Sequence, residues 1–125
     1  MYQTSPDYGY IYVRTNEYWD THNACKTGTS LWLLERENAY NTSEIKKGKF
    51  VLVIRVDSHV VKKIETQLRE YFTNLGFYIY LGGGRDFYKK DIIDHIVPYF
   101  INNKIKYTVL TENEINELIR NPTIT

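Results

Sequence analysis

Polar and apolar residues alternate over Gly9–Thr15, GYIYVRT, so Ile11 and Val13 face one way while Tyr10, Tyr12 and Arg14 face the other. This predicts a strand with one polar, aromatic face. A turn-like stretch, NEYWDTHN, separates it from ACKTG, Ala24–Gly28, a short strand placed as its hairpin partner. Thr29 or Ser30 can then cap a helix through SLWLLERENAYN, with Leu31 and Leu34, and room for Trp32, packing inward. KFVLVIRV, Lys49–Val56, is nearly continuous in apolar and β-branched residues and predicts a central strand covered on both faces. Asp57 or Ser58 caps the next helix, where Val61, Ile64, Leu68, Tyr71, Phe72 and Leu75 keep helical spacing until Gly76 stops it. FYIYL, Phe77–Leu81, reads as a strand and GGGRDFY as a loop. Asp91 caps a helix DIIDHIVPYF that Pro98 must kink or end. YTVL is an expected edge strand, and TENEINELIRN opens with a capping box from Thr111 to Glu114.

The order β-β-α-β-α-β-α-β-α predicts an α/β (α+β) sandwich, a mixed or antiparallel central sheet flanked by helices. At 125 residues a single domain over 1–125 is expected, with a core of about 8–110 and a C-terminal helix of about 111–121. No apolar run approaches the ~18 residues of a membrane span, so no membrane partner is expected. The first residues carry neither a basic nor an apolar leader segment, which predicts an intracellular location, cytoplasm or nucleus.

Composition narrows the chemistry. One cysteine, Cys25, excludes an internal disulfide, and with only three histidines it argues against a Cys/His zinc cluster, so any metal should be held by oxygen. His22-x-x-Cys25 offers a nucleophile and a base but no orienting acid, and an inert buried thiol is the expectation for Cys25. A net charge of +1 requires any polyanion site to come from local clustering, as in Lys46, Lys47 and Lys49, Lys62 and Lys63, or Arg85, Lys89 and Lys90. The twelve tyrosines matter more, since each can pack a ring and present a hydroxyl. Triple glycine Gly82-Gly83-Gly84 lacks a P-loop lysine and reads as a turn.

GYIYV followed by KTG and then an arginine resembles the GIY-YIG nuclease superfamily, in the lysine-containing branch found in phages and large DNA viruses. Ile11-Tyr12 matches the first motif and Lys26-Thr27-Gly28 the second, with lysine where other branches place tyrosine. Arg36, ten residues after Lys26, falls where the family's catalytic arginine does. The family's metal-binding glutamate sits on the helix after the third strand, which here offers Glu65 or Glu70. Glu65 lies roughly 70° from the centre of the apolar stripe and Glu70 about 150° away, so Glu65 is the expected ligand. GGGRDFY looks like the glycine, arginine, acid and aromatic stretch of the lysine branch. The resemblance spans about Tyr8 to Tyr88. Asn102 and Asn103 both stand open as the family's late asparagine.

The resemblance implies a DNA endonuclease in which Glu65 binds Mg²⁺ or Mn²⁺, Arg36 forks onto phosphate oxygens, and Tyr12 or Lys26 orients and deprotonates the water. Gly28, His22 and Arg85 are the expected substrate-binding residues. Burial of Lys26 beside Arg36 would favour its neutral form, although a charged Lys26 that only holds phosphate is equally open. Tyr12, Lys26, Arg36 and Glu65 should then share one hollow, and a glutamate across the sheet from both the lysine and the arginine would end the hydrolase account. The alternatives are a weak or inactive nucleic-acid-binding module on the same fold and a protein-interaction domain. With +1 as the whole charge, specificity would come from a homodimer, a separate DNA-recognition partner, or a branched or flapped substrate.

Overall fold

The computed structural model describes residues 6–43, 48–81 and 86–120. Three long strands, β1 (Tyr8–Thr15), β2 (Ala24–Ser30) and β3 (Lys49–Asp57), form where the alternating and apolar runs predict them. Two short strands, β4 (Phe87–Lys89) and β5 (Thr108–Val109), complete a five-stranded sheet in the order β4-β2-β1-β3-β5, antiparallel throughout. A short helix, α1 (Glu17–Asp20), occupies the expected turn, capped by the Asn16 side chain accepting from the Trp19 N–H at 2.9 Å.

Helices cover both faces. Against one lie α3 (Val61–Asn74) and α4 (Ile93–Asn102), where Val61, Ile64, Leu68, Phe72, Ile96 and Phe100 meet Ile11, Val13 and Ile54. Against the other lie α2 (Leu33–Ser43) and α5 (Glu112–Arg120), which pack Leu33, Tyr40 and Ile115 onto Tyr12, Phe50 and Val53. Phe50 and Val53 share a face despite their odd spacing because a bulge shifts the β1–β3 register between Val13 and Arg14. The Thr111 capping box forms as predicted: the Thr111 N–H donates to Glu114 Oε1 at 2.9 Å and the Glu114 N–H to Thr111 Oγ1 at 3.2 Å. Gly76, at φ 79°, ends α3.

Several local expectations are corrected. FYIYL is not a strand: it holds to β4 through the isolated bridge Tyr78–Tyr88 and the bonds Ile79 N–H to Phe87 O and Lys89 N–H to Phe77 O. Tyr78 and Tyr80 stand largely in solvent, so the inner arm, Phe87–Lys89, becomes the strand instead of part of a loop. The inward face of α2 is Leu33, Glu37 and Tyr40, because the sheet beneath presents a buried arginine that needs a carboxylate; Leu31 is exposed. Asp91 caps nothing, since a single 3₁₀ turn over Lys90–Ile92 leads into α4. Neither Asp57 nor Ser58 caps α3, whose N-cap is Val60 with no side-chain bond, because Asp57 Oδ1 turns to the His59 N–H at 2.8 Å. Pro98, expected to kink or end its helix, lies inside α4, which runs four residues further with the ring on the exposed side.

Candidate functional site

The first motif and the second meet at one cross-strand pair. Tyr12 lies opposite Gly28, and its ring folds across the glycine so closely that a Cβ there would stand 2.4 Å from the hydroxyl. Any larger residue would displace the tyrosine. The Tyr12 hydroxyl is 2.8 Å from that of Tyr40, and Phe50 closes the other side of the ring at 5.1 Å between centroids. Only 3% of Tyr12 is exposed. Burial raises its pKa, against lowering by the Tyr40 hydrogen bond, Arg36 and Arg14, while Glu65 adds to the rise. Tyr12 thus lies within electrostatic reach of both Arg36 and Glu65. Tyr40 is also pushed up, by burial and by the neighbouring phenol.

A stretch of the β2 edge that is unpaired among the described residues joins these groups. The pairing of β4 with β2 ends at Lys26, and the Thr27 N–H bond to the Asp86 carbonyl, 3.0 Å, is the last rung before Gly28 and Thr29 among the described residues. Arg36 reaches this edge from α2, with Nη2 3.5 Å from the Thr29 carbonyl. Lys62 reaches it from α3, donating to Thr29 Oγ1 at 2.9 Å, and its ammonium lies 3.7 Å from Glu65 Oε1. Glu65 lines a small recess with Gly28, Thr27 and Arg69, and Arg69 pairs with Asp86 at 3.3 Å instead of with Glu65.

The single hollow expected from the sequence is not what the fold builds. Cross-strand register puts Lys26 beside Arg14 on the α2 face, its ammonium 5.3 Å from the Phe87 ring centroid and 5.7 Å from that of Tyr40. Glu65 belongs to α3 on the opposite face. His22 sits before the start of β2, away from Gly28, exposed and with its ring against Tyr18. Arg85, Lys46, Lys47 and the triple glycine lie outside the described residues. Cys25 is fully buried, and burial pushes its thiol up to about 12, consistent with an inert group.

Three partners escape a reading of the chain alone. Tyr40 holds Tyr12, Lys62 holds Thr29, and Glu37 pairs with the completely buried Arg14 at 3.0 and 3.2 Å. For Lys62 the one available signal is its i−3 spacing from Glu65 on one helix flank. Nothing local marks Tyr40 or Glu37. Among the described residues no three His, Cys, Asp or Glu side chains cluster as a metal cage. One carboxylate nonetheless fits Mg²⁺, which keeps most of its waters and takes one or two carboxylates plus phosphate oxygens. The Glu65 side chain is 20% exposed, and the ammonium 3.7 Å from it is held at Thr29 Oγ1 by a side chain that is itself 80% exposed.

No family model matches the chain, and no curated protein or solved structure does either. No helix among the described residues is long and apolar enough to cross a membrane.

Proposed function

We propose that the chain is a GIY-YIG-like endonuclease that hydrolyses DNA phosphodiester bonds at the β2 edge beside Gly28 and Thr29 with one Mg²⁺ or Mn²⁺. The observation that carries this reading is the meeting at Thr29, which Arg36 addresses from one face and Lys62 from the other, with the Lys62 ammonium 3.7 Å from Glu65 Oε1. The division of Lys26 and Glu65 between faces would separate them across a continuous sheet. Among the described residues β4 pairs with β2 only as far as Lys26, and Gly28 has no side chain, which supports a site reached from both faces at this edge.

Glu65 would hold the ion, whose chemistry is neutralisation of charge on the phosphate and the leaving oxygen. Arg36 supplies a planar fork for two phosphate oxygens, and Lys62 a mobile point charge. Tyr12, sealed beneath the edge with a raised pKa, keeps its proton at neutral pH and serves as a fixed hydroxyl, not a base. Of the two groups considered as base, Lys26 is left, and Lys26→Met tests it.

Supercoiled plasmid incubated with protein and Mg²⁺ or Mn²⁺ should be nicked, and chelation should stop it. Glu65→Ala and Arg36→Ala should each slow nicking by about 10²–10³-fold, the loss typical of one transition-state charge. Nicking untouched by both substitutions ends this reading. The second reading, a module that grips phosphate without cutting, is favoured by the sealed Tyr12 and the divided faces. It predicts binding that falls steeply with salt and no nicking at all.

A further inference from the structure

A second free edge lies on the far flank of α3. β5 pairs only with Ile54 and Arg55, so the end of β3 beyond them has no outer neighbour among the described residues. A groove of about 980 Å³ follows that end, between the first turns of α3 and the segment leading into β5. Such a volume is at the upper end of the ~300–1,000 Å³ of ligand sites. Ile64 and Ile105 contribute apolar surface, while Lys63 and Lys106 bring cations from the two walls. At the mouth the Arg55 guanidinium lies 4.5 Å from the centroid of the Tyr8 ring, and Tyr8 is 48% exposed. Asp7 and Asp57 also line the groove, but one Asp57 oxygen is engaged by the His59 N–H at 2.8 Å.

We infer that this groove binds a single-stranded nucleic-acid segment, stacking a base on the Tyr8–Arg55 platform and holding flanking phosphates with Lys63 and Lys106. A flat ring topped by a guanidinium suits a base with an open π-face. In a duplex those faces are hidden, and phosphate contacts alone would leave the apolar surface without a use. Helical geometry makes α3 the divider: Lys63 and Gln67 project to the groove, Lys62 and Glu65 to the β2 edge, about 10 Å apart across the helix. The inference rests on the nuclease reading only in naming the substrate class, a DNA with a single-stranded arm beside the cleaved bond.

Fluorescence anisotropy of the full chain with a fluorescein-labelled twelve-nucleotide oligothymidylate tests it. Tyr8→Ala and Arg55→Ala should each weaken binding about five- to a hundredfold, as loss of one stacking partner does. Lys63→Gln, on an exposed side chain that leaves folding intact, should lower the salt slope by about 0.7, one single-strand phosphate. Glu65→Ala should slow nicking by about 10²–10³-fold and leave oligothymidylate binding unchanged, which separates failure of the groove from failure of the nuclease reading. Wild-type affinity in both Lys63→Gln and Arg55→Ala overturns the inference. So does equal binding of a blunt duplex of the same length or of thymidine monophosphate.

Discussion

The two faces of the sheet are held by different physics. Under α3 and α4 the core is almost purely apolar, with Phe72, Phe100, Ile54 and Ile96 at 1% exposure or less. Under α2 and α5 the fold buries Arg14 completely, bonded twice to Glu37 and stacked 4.6 and 4.7 Å from the rings of Tyr40 and Phe50. Removal of area from water stabilises the first face, so it responds to volume. The second balances desolvation of charges against their pairing, so it responds to the loss of a partner. Tyr12 and Arg36 belong to the second side, with its polar interior, while Glu65 is carried by the apolar one.

The largest effects should come from one substitution in each face. Phe72→Ala and Glu37→Ala should each cost about 3–5 kcal/mol in urea unfolding, the first by a cavity and the second by stranding charge. The pair Arg14→Met with Glu37→Met should recover most of the second loss, since a buried ion pair exchanged for apolar side chains is often neutral. A double variant as damaged as Glu37→Ala would erase the distinction between the faces.

Next in size is Gly28→Ala, which drives a methyl into Tyr12 and should cost about 1–3 kcal/mol as overpacking while opening the Tyr12–Tyr40 contact. Full stability in that variant would show that the tyrosine is not pressed on the glycine. Alkaline pH then acts on both faces. Burial raises the Cys25 thiol from 9.0 and the Tyr88 phenol from 10.0, each to about 12, and raises Tyr12 and Tyr40 as well. A group whose folded pKa lies above its unfolded value adds stability that is complete below the unfolded value and disappears as pH passes the folded one. Stability should therefore hold to about pH 9 and decline towards pH 12, less steeply in Tyr12→Phe with Tyr40→Phe. A profile flat to pH 12 contradicts the burial of these groups. The smallest change should follow Thr111→Ala, which removes the cap of α5. Its hydrogen bonds hold Glu114 below 4.5, so that contribution is present above this value and fades as pH falls, and the variant should lose this acid dependence.

Much of the architecture was legible because periodicity and caps are local. The β1 alternation, the apolar stripe of α3, Gly76 and the Thr111 box each report a few neighbouring residues. The errors lie where a distant partner outweighs local preference. Phe77–Leu81 has strand composition but little cover, and α2 turns Glu37 inward because Arg14 waits beneath it. At the candidate site the pairing of Tyr12 with Gly28 follows directly from the hairpin register, whereas Lys26 and Glu65 took opposite faces because their own neighbours sent them there.

Residue order alone dictated which segments become helix or strand and which side chains on one element share a side, since these depend on spacings of two and three to four residues along a single chain. It could not dictate where β4 and β5 stop, and so where β2 and β3 are left unpaired among the described residues. Those stopping points arise from long-range pairing and helix cover, in which contacts between residues far apart in sequence compete, and they decide that Arg36, Lys62 and Glu65 gather at one edge.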